Sequence, residues 1–386
     1  MRSYTKYRSP RPQRGRFSRL LWLPVLAGLV VAVWSWWHHA QRTVPAPRPK
    51  PAGIAPATQA LVQPKPARPK PQPQPLPPVA LVPLPHPAAK PSPELPESGV
   101  FPRPVQNVFE AQLALARQGI SSGSLDGATG PQTRAALRAF QQKEHLAMSG
   151  ELDAATKEQL LLTAPPYSNY TVTTDDLARL QPLSRTWLGK SQQTALDYET
   201  ILELVAEKGH AHPNLIRRLN SSIDWTNVTA GTTVQLPDVA YADASSKAAF
   251  ATISLGGKVL EAFDSNTNLL AHFPCSIAQR VEKRPAGELH VAAIAPNPNY
   301  TFDPDIFPES AEARQLNRKL VLPPGPNNPV GVAWISLDKP GYGIHGTPSP
   351  EQVGRTESHG CFRLANWNAE YLVKLVWVGM PVYVEP

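Results

Sequence analysis

Gly343-Ile344-His345-Gly346-Thr347, followed thirteen residues after His345 by Ser358-His359-Gly360-Cys361-Phe362-Arg363-Leu364, is the stretch on which the reading of this chain turns. A cysteine attacks only as its thiolate, and a free thiol near pKa 8.5 supplies little of that at neutral pH unless a histidine or a cation shifts it. His345, His359 and Arg363 are the groups able to do so for Cys361. Gly360 permits close backbone approach, and with Gly346 nearby the main-chain N–H groups offer an oxyanion hole. A buried cysteine beside hydrogen-bonded histidines is the plain alternative, and for an isolated Cys it would be preferred. Two His, one Cys and one Arg clustered with glycines favour catalysis instead. Zinc is the other option, yet His345, His359 and Cys361 would supply three ligands with no acid nearby, so no metal and no cofactor is expected.

Outward from this stretch, the chain from 248 to 386 runs in short alternating strands. They cover Ala249 to Leu255, Gly257 to Phe263, Leu269 to Ile277, Glu288 to Ile294 and Gly331 to Leu337, with turn residues between them. An all-β, β-rich domain with few helices is predicted. Trp334 and Tyr342 are candidates to line its cleft. Cys275, the other of only two cysteines, sits in a strand-like segment and is expected to be buried and unpaired, because a bridge to Cys361 would abolish the nucleophile.

Further upstream, residues 105–163 show helical periodicity. Phe109, Leu113 and Ala116 share one face, Gly130-Pro131 opens a second helix, Ala136 and Phe140 follow one turn apart, and Asp153 caps a third. Residues 169–238 read as strand, helix, helix, strand: Tyr170 to Thr173, Tyr198 to Lys208, Asn214 to Leu219 and Gly231 to Pro237, with 181–199 as an insertion. A small α+β domain is expected there.

Residues 38–104 form a proline-rich linker, with 21 prolines between positions 41 and 104. Such a segment lacks the donors for helix or sheet and extends as polyproline II. Ahead of it Leu20 to Trp37 is an uncharged run of eighteen residues behind seven cations in 1–19. That pattern predicts a cytoplasmic basic segment at 1–19, a retained transmembrane signal anchor at 20–37, and a single-pass protein of the cytoplasmic membrane with its C-terminal part in the periplasm or cell-wall space. A cleaved signal peptide is the competing reading. The net charge of +8 invites a nucleic-acid reading, but the 282 residues after 104 hold 23 basic and 28 acidic groups, so a basic nucleic-acid face is excluded.

Three resemblances follow. Asp126-Gly127, Gly130-Pro131, Thr133, Phe140-Gln141, Gly150 and Thr156, in that order, resemble the three-helix peptidoglycan-binding module. Residues 169–238, with Asn220 after the second helix, resemble a diverged LysM glycan-binding domain. The stretch 343–364, with Pro324-Gly325-Pro326-Asn327-Asn328-Pro329-Val330-Gly331 before it and Gly379-Met380-Pro381-Val382-Tyr383-Val384 after it, resembles the L,D-transpeptidase (YkuD-type) catalytic domain. That last resemblance implies a cysteine acyltransferase that cross-links peptidoglycan stem peptides, with Cys361 as nucleophile and His345 as proton acceptor and donor. D-alanine would leave from a tetrapeptide stem and an amine of a second stem would take its place; water as acceptor would make a carboxypeptidase, and a lysine of an envelope lipoprotein an anchoring enzyme. A non-catalytic peptidoglycan-binding tether is the rival from another class. Some relatives carry a serine after the base histidine; here Gly346 stands there, so a backbone carbonyl would have to orient the ring. Ser358 and His359 would shape the loop, and Arg363 would hold a substrate carboxylate. The expected partners are stem peptides and glycan, together with the membrane anchor.

Overall fold

Apolar residues at every second position build the C-terminal domain. β5 (Phe250–Ser254), β6 (Val259–Phe263) and β7 (Leu269–Pro274) pair antiparallel, and the register stacks Ile253 on Leu260 and Leu260 on Phe273, all fully buried. β8 (Gly287–Pro296), β11 (Ala333–Leu337), β12 (Gly343–His345), β13 (Phe362–Arg363) and β14 (Pro381–Glu385) complete one sheet in the order β13-β12-β11-β8-β14-β5-β6-β7. Ile335, Ile344 and Phe362 point to the same core, and a helix, Asn366–Leu375, lays Ala369, Leu372 and Leu375 against it. The sheet curls until its two edge strands meet. Just past β7, Ser276 exchanges both backbone hydrogen bonds with Arg363, at 2.9 and 3.0 Å, so the edges that would otherwise template aggregation cover each other.

The computed structural model describes residues 99–241, 244, 246–307, 310–356, 358 and 360–386. The basic segment 1–19, the anchor 20–37, most of the linker 38–104 and His359 lie outside the described residues. The expected membrane anchor has to be corrected. Among the described residues no helix is long and apolar enough to cross a membrane. The longest, Pro131–Lys143, has 13 residues, about 20 Å against the roughly 30 Å hydrocarbon core. The single-pass anchor, as a partner and as a location, therefore finds no support in the structure; the apolar run suggested it through length and composition alone.

The three-helix module is made of α1 (Val108–Arg117), α2 (Pro131–Lys143) and α3 (Ala154–Gln159), its ends tied by the short antiparallel pair β1 (Arg103–Pro104) and β2 (Leu161–Leu162). Asn107 and Asp153 accept from backbone N–H groups at the starts of α1 and α3, and Pro131 opens α2 where no N–H partner is needed. β3 (Tyr167–Thr171) and β4 (Thr233–Pro237) then pair antiparallel and enclose α4 (Thr174–Arg179), α5 (Trp187–Ser191), α6 (Ile201–Lys208) and α7 (Pro213–Leu219). These α+β residues do not keep a core of their own. One apolar cluster joins Leu113, Leu125 and Phe140 to Val172, Leu204 and Val234, and Phe109 stacks on Tyr167 at 5.0 Å.

The insertion 181–199, with α5 inside it, reaches across to the C-terminal domain. Trp187 stacks on Phe302 at 4.4 Å and leans on Phe307 and Tyr300. Those rings belong to a hairpin of β9 (Tyr300–Phe302) and β10 (Leu320–Leu322) and to the segment between them, which holds α8 (Ala311–Leu316). Asparagine 327 of the proline-glycine loop is bound from the same side: its N–H donates to the Leu196 carbonyl at 2.9 Å. Helix α9 (Asn366–Leu375) closes the set.

Candidate active site

Strands β12 and β13 run parallel, with Ile344 opposite Phe362 and His345 opposite Arg363. Since side chains alternate, the core takes Ile344 and Phe362, while Gly343, His345, Cys361 and Arg363 face the other way. On the far side of β12, Trp334 of β11 stands opposite His345 and its ring packs on the imidazole at 5.5 Å. Trp334 Nε1 donates to Ser336 Oγ at 2.6 Å, so the indole is held at both ends. The local fold thus brings His345, Cys361, Arg363 and Trp334 to one face, with the thiol about two residues along the strand direction from the imidazole.

His345 is buried, and its Nδ1 meets the Gly346 carbonyl at 2.6 Å. A proton on Nδ1 directed at that oxygen leaves Nε2 free to accept. Burial pulls the imidazole down to about 4, with the Arg363 charge acting the same way and the Gly346 contact opposing, so the ring is neutral at pH 7. Cys361 is a free, partly exposed thiol whose Sγ lies 3.5 Å from the Gly341 carbonyl. Burial raises its pKa, while a backbone hydrogen bond from Gly343 and the Arg363 guanidinium pull it back. The resting pair is therefore a neutral thiol beside a neutral imidazole, suited to general-base activation. Arg363 is itself pushed down by burial and feels both cysteines.

The loop that carries Cys361 is clamped on both sides. Ser358 N–H donates to the Ile277 carbonyl at 2.8 Å, the Ser358 carbonyl accepts from Gln279 N–H at 2.9 Å, and Ser358 Oγ donates to the Cys361 carbonyl at 2.5 Å. Gly360 N–H points at Ser358 Oγ at 3.3 Å. Tyr342 flanks Gly360, with the Lys339 ammonium over its ring at 5.1 Å. Burial first, then the charges of Cys361 and Asp303, push the phenol of Tyr300 on β9 up to about 12. Cys275 is free and fully buried, its thiol pushed up to about 12 by burial.

Sequence reasoning missed Asn366. Its buried amide stands one residue into α9, where Oδ1 accepts from Thr347 N–H at 2.9 Å and Val332 N–H at 3.3 Å, and Nδ2 donates to the Pro326 carbonyl at 3.2 Å. Gly331 and Gly346 close in on it so tightly that a side chain at either would begin 2.0 or 2.3 Å from Oδ1. The signal was available in the Pro-Gly-Pro-Asn-Asn run and in an asparagine placed three residues after Arg363, but nothing in spacing alone ties the two together.

In the helical module the signature residues turn inward. Gln112 Nε2 donates to Asp126 Oδ1, the Ala128 carbonyl and Thr133 Oγ1 within 3.1 Å. Gln141 Nε2 repeats the pattern with Ser149, Glu151 and Thr156, and its Oε1 accepts from Gly150 N–H. The motif therefore records how two loops are tied to two helices.

Comparison with known proteins agrees with both ends of this description. Residues 249–384 match the YkuD family, described as the L,D-transpeptidase catalytic domain, and residues 104–160 match PG_binding_1, a peptidoglycan binding domain. A protein of Bacillus licheniformis named as the L,D-transpeptidase YkuD is 25% identical over 185 residues, 48% of this chain and 93% of its own. YqjB of Bacillus subtilis, also named as an L,D-transpeptidase, is 33% identical over 105 residues, 26% of this chain and 51% of its own. A crystal structure of the L,D-transpeptidase from Xylanimonas cellulosilytica aligns over 75% of this chain and 98% of its own at 13% identity, with a TM-score of 0.31. The chain thus carries an L,D-transpeptidase YkuD catalytic domain over residues 249–384, preceded by a peptidoglycan-binding module over residues 104–160.

Proposed function

We propose that the chain cross-links peptidoglycan stem peptides by two acyl transfers through Cys361, with His345 as the single proton carrier. The observation that carries this reading is the placement of a neutral, Gly346-oriented imidazole and the Cys361 thiol on one face of two paired strands. His345 Nε2 takes the thiol proton, and Sγ attacks the carbonyl carbon of the residue before a terminal D-alanine. The tetrahedral intermediate collapses as the imidazolium returns its proton to the D-alanine amine, leaving a thioester. The amine of a second stem then loses a proton to His345, attacks the thioester, and the thiolate departs and is reprotonated. Arg363, opposite His345 in the register, holds the donor carboxylate, and Trp334, Tyr342 and Tyr300 wall the cleft. The Cys361 N–H polarises the scissile carbonyl. The domain scheme of a helical binding module at 105–163, a LysM-like glycan binder at 169–238 and the catalytic domain at 248–386 fits this role; the antiparallel pair β3–β4 with α6 and α7 ahead of its second strand supports the middle assignment, α4 and α5 being additions to that order.

The test is intact mass and product analysis with a disaccharide-tetrapeptide and with a carbapenem. D-alanine release and a stable carbapenem adduct are expected, both absent in Cys361→Ala and both retained in Cys275→Ala. Turnover that survives Cys361→Ala, or that a chelator abolishes, would defeat the proposal.

A further inference from the structure

The segment from Gly346 to Gly360 joins the two reacting residues, and the catalytic domain holds its ends, Thr347 by Asn366 and Ser358 by residues 277 and 279. Its middle is gripped by the helical module. Gln132, in the first turn of α2, donates from Nε2 to the Val353 carbonyl at 2.5 Å across 221 residues of sequence. Val353 is 3% exposed, so a carbonyl left without this donor is poorly served by water.

The Gln132 amide fits a slot between two glycines. A Cβ on Gly123, in the loop between α1 and α2, would begin 2.6 Å from Oε1, and one on Gly354 would begin 2.5 Å from Nε2. Both glycines lie at positive φ, +84° and +72°, and Pro274 at the end of β7 flanks both positions. Gly354 N–H in turn donates to Ser276 Oγ at 2.8 Å. Ser276 is the residue that exchanges both backbone hydrogen bonds with Arg363, two positions after Cys361. The amide therefore fixes the segment against the strand that follows the nucleophile. A second tie, Arg355 to Asp126 at 3.9 Å, is 58% exposed at the arginine and adds little by itself.

We propose that Gln132 is a positioning residue for Cys361: from the helical module it sets the Val353–Gly354 turn and, through Ser276 and Arg363, the placement of the thiol against His345. This rests on Cys361 and His345 being the reacting pair of the proposed reaction. The helical module then has a part in the chemistry besides any hold on the cell wall. A catalytic domain without it would keep both reacting residues and lose the fixed point between them. A misplacement of about 1 Å between reacting groups costs up to about a hundredfold in rate, so the loss of one such tie is expected to cost about tenfold.

The experiment compares wild type, Gln132→Ala, Gln132→Glu and Asn107→Ala as full-length proteins at about pH 8. It measures kcat and KM for D-alanine release from a disaccharide-tetrapeptide, per thiol titrated with a carbapenem, with melting temperatures alongside. Gln132→Ala is expected to lose about tenfold in kcat with KM within about twofold. Gln132→Glu fills the same slot but turns only acceptor oxygens to the Val353 carbonyl, so it should be impaired at least as much; a side chain that only filled space would be replaced by it without loss. Asn107→Ala removes the α1 cap, a bond inside the module, and should lower the melting temperature while kcat stays within about twofold of wild type. A wild-type kcat in Gln132→Ala or in Gln132→Glu overturns the proposal. So does a kcat loss in Asn107→Ala as large as that in Gln132→Ala, which would make the effect one of module stability. The glutamate variant decides the matter if the alanine variant does not fold. Wild type that neither releases D-alanine nor takes up the carbapenem would defeat the reading of the catalytic site, and this proposal with it.

Discussion

Replacing Gly346 by alanine tests how tightly the His345 loop is built. A Cβ at 346 would begin 2.3 Å from Asn366 Oδ1 and 3.2 Å from Val332 N. Asn366 is 1% exposed and stands on the first turn of α9, so it has no free direction in which to retreat. Relief requires Oδ1 to shift by about 1 Å, which takes it out of hydrogen-bonding range of the Val332 N–H and strains the bond to Thr347 N–H. Losing one to two such bonds in a buried setting, at about 1 kcal/mol each net and more where an N–H is left orphaned, together with overpacking of about 1–3 kcal/mol, sums to roughly 3 kcal/mol. Urea unfolding followed by tryptophan fluorescence would read this as a lower midpoint at an unchanged slope. Gly256→Ala is the control, because a new Cβ there meets nothing closer than 3.5 Å, and its effect should stay below about 0.5 kcal/mol. The acylation rate with a carbapenem should fall in Gly346→Ala, since the carbonyl that orients His345 moves with the clash. A Gly346→Ala protein within about 0.5 kcal/mol of wild type and unchanged in acylation would refute the reasoning.

Other outcomes follow from the same contacts. His345 drops from an ordinary 6.5 to about 4 in the folded chain. Because the unfolded chain takes up that proton first, the stability the neutral ring contributes is intact above pH 6.5 and is lost between 6.5 and 4, by about 3 kcal/mol; urea midpoints across that range, compared with His345→Gln, measure it. Trp187→Ala removes the ring stacked on Phe302 and should cost about 2 kcal/mol, with faster amide exchange concentrated in 300–322. Gln141→Ala deletes an amide that joins α2 to the 149–156 loop; a loss of about 2–3 kcal/mol in thermal unfolding is expected, more than for exposed Lys143→Ala.

Much of the site was legible because its determinants are local. Histidine at 345 closes one short strand and cysteine at 361 directly precedes another, so alternation decides which way they point, and glycine at 346 left only a backbone carbonyl to orient the imidazole, which is the contact present. Asn366 was not legible, since its role depends on groups nineteen to forty residues away in sequence. Asp126, Thr133 and Gln141 were legible as a motif, but the sequence said nothing of their being spent on holding loops.

The amino-acid pattern alone determined the strand alternation of 248–386, the helices of 105–163 with their caps, and the thiol of Cys361 on which the proposed reaction rests, because each depends on periodicity, capping or residue type within a few positions. Tertiary structure alone decided that the small modules share one apolar core, that the 181–199 insertion grips the β9–β10 hairpin, and that the Glu203 carboxylate of α6 meets Asn327 of the proline-glycine loop. Those contacts join surfaces distant in the chain, and burial and hydrogen-bond satisfaction are properties of the packed surfaces together, which no window of sequence contains.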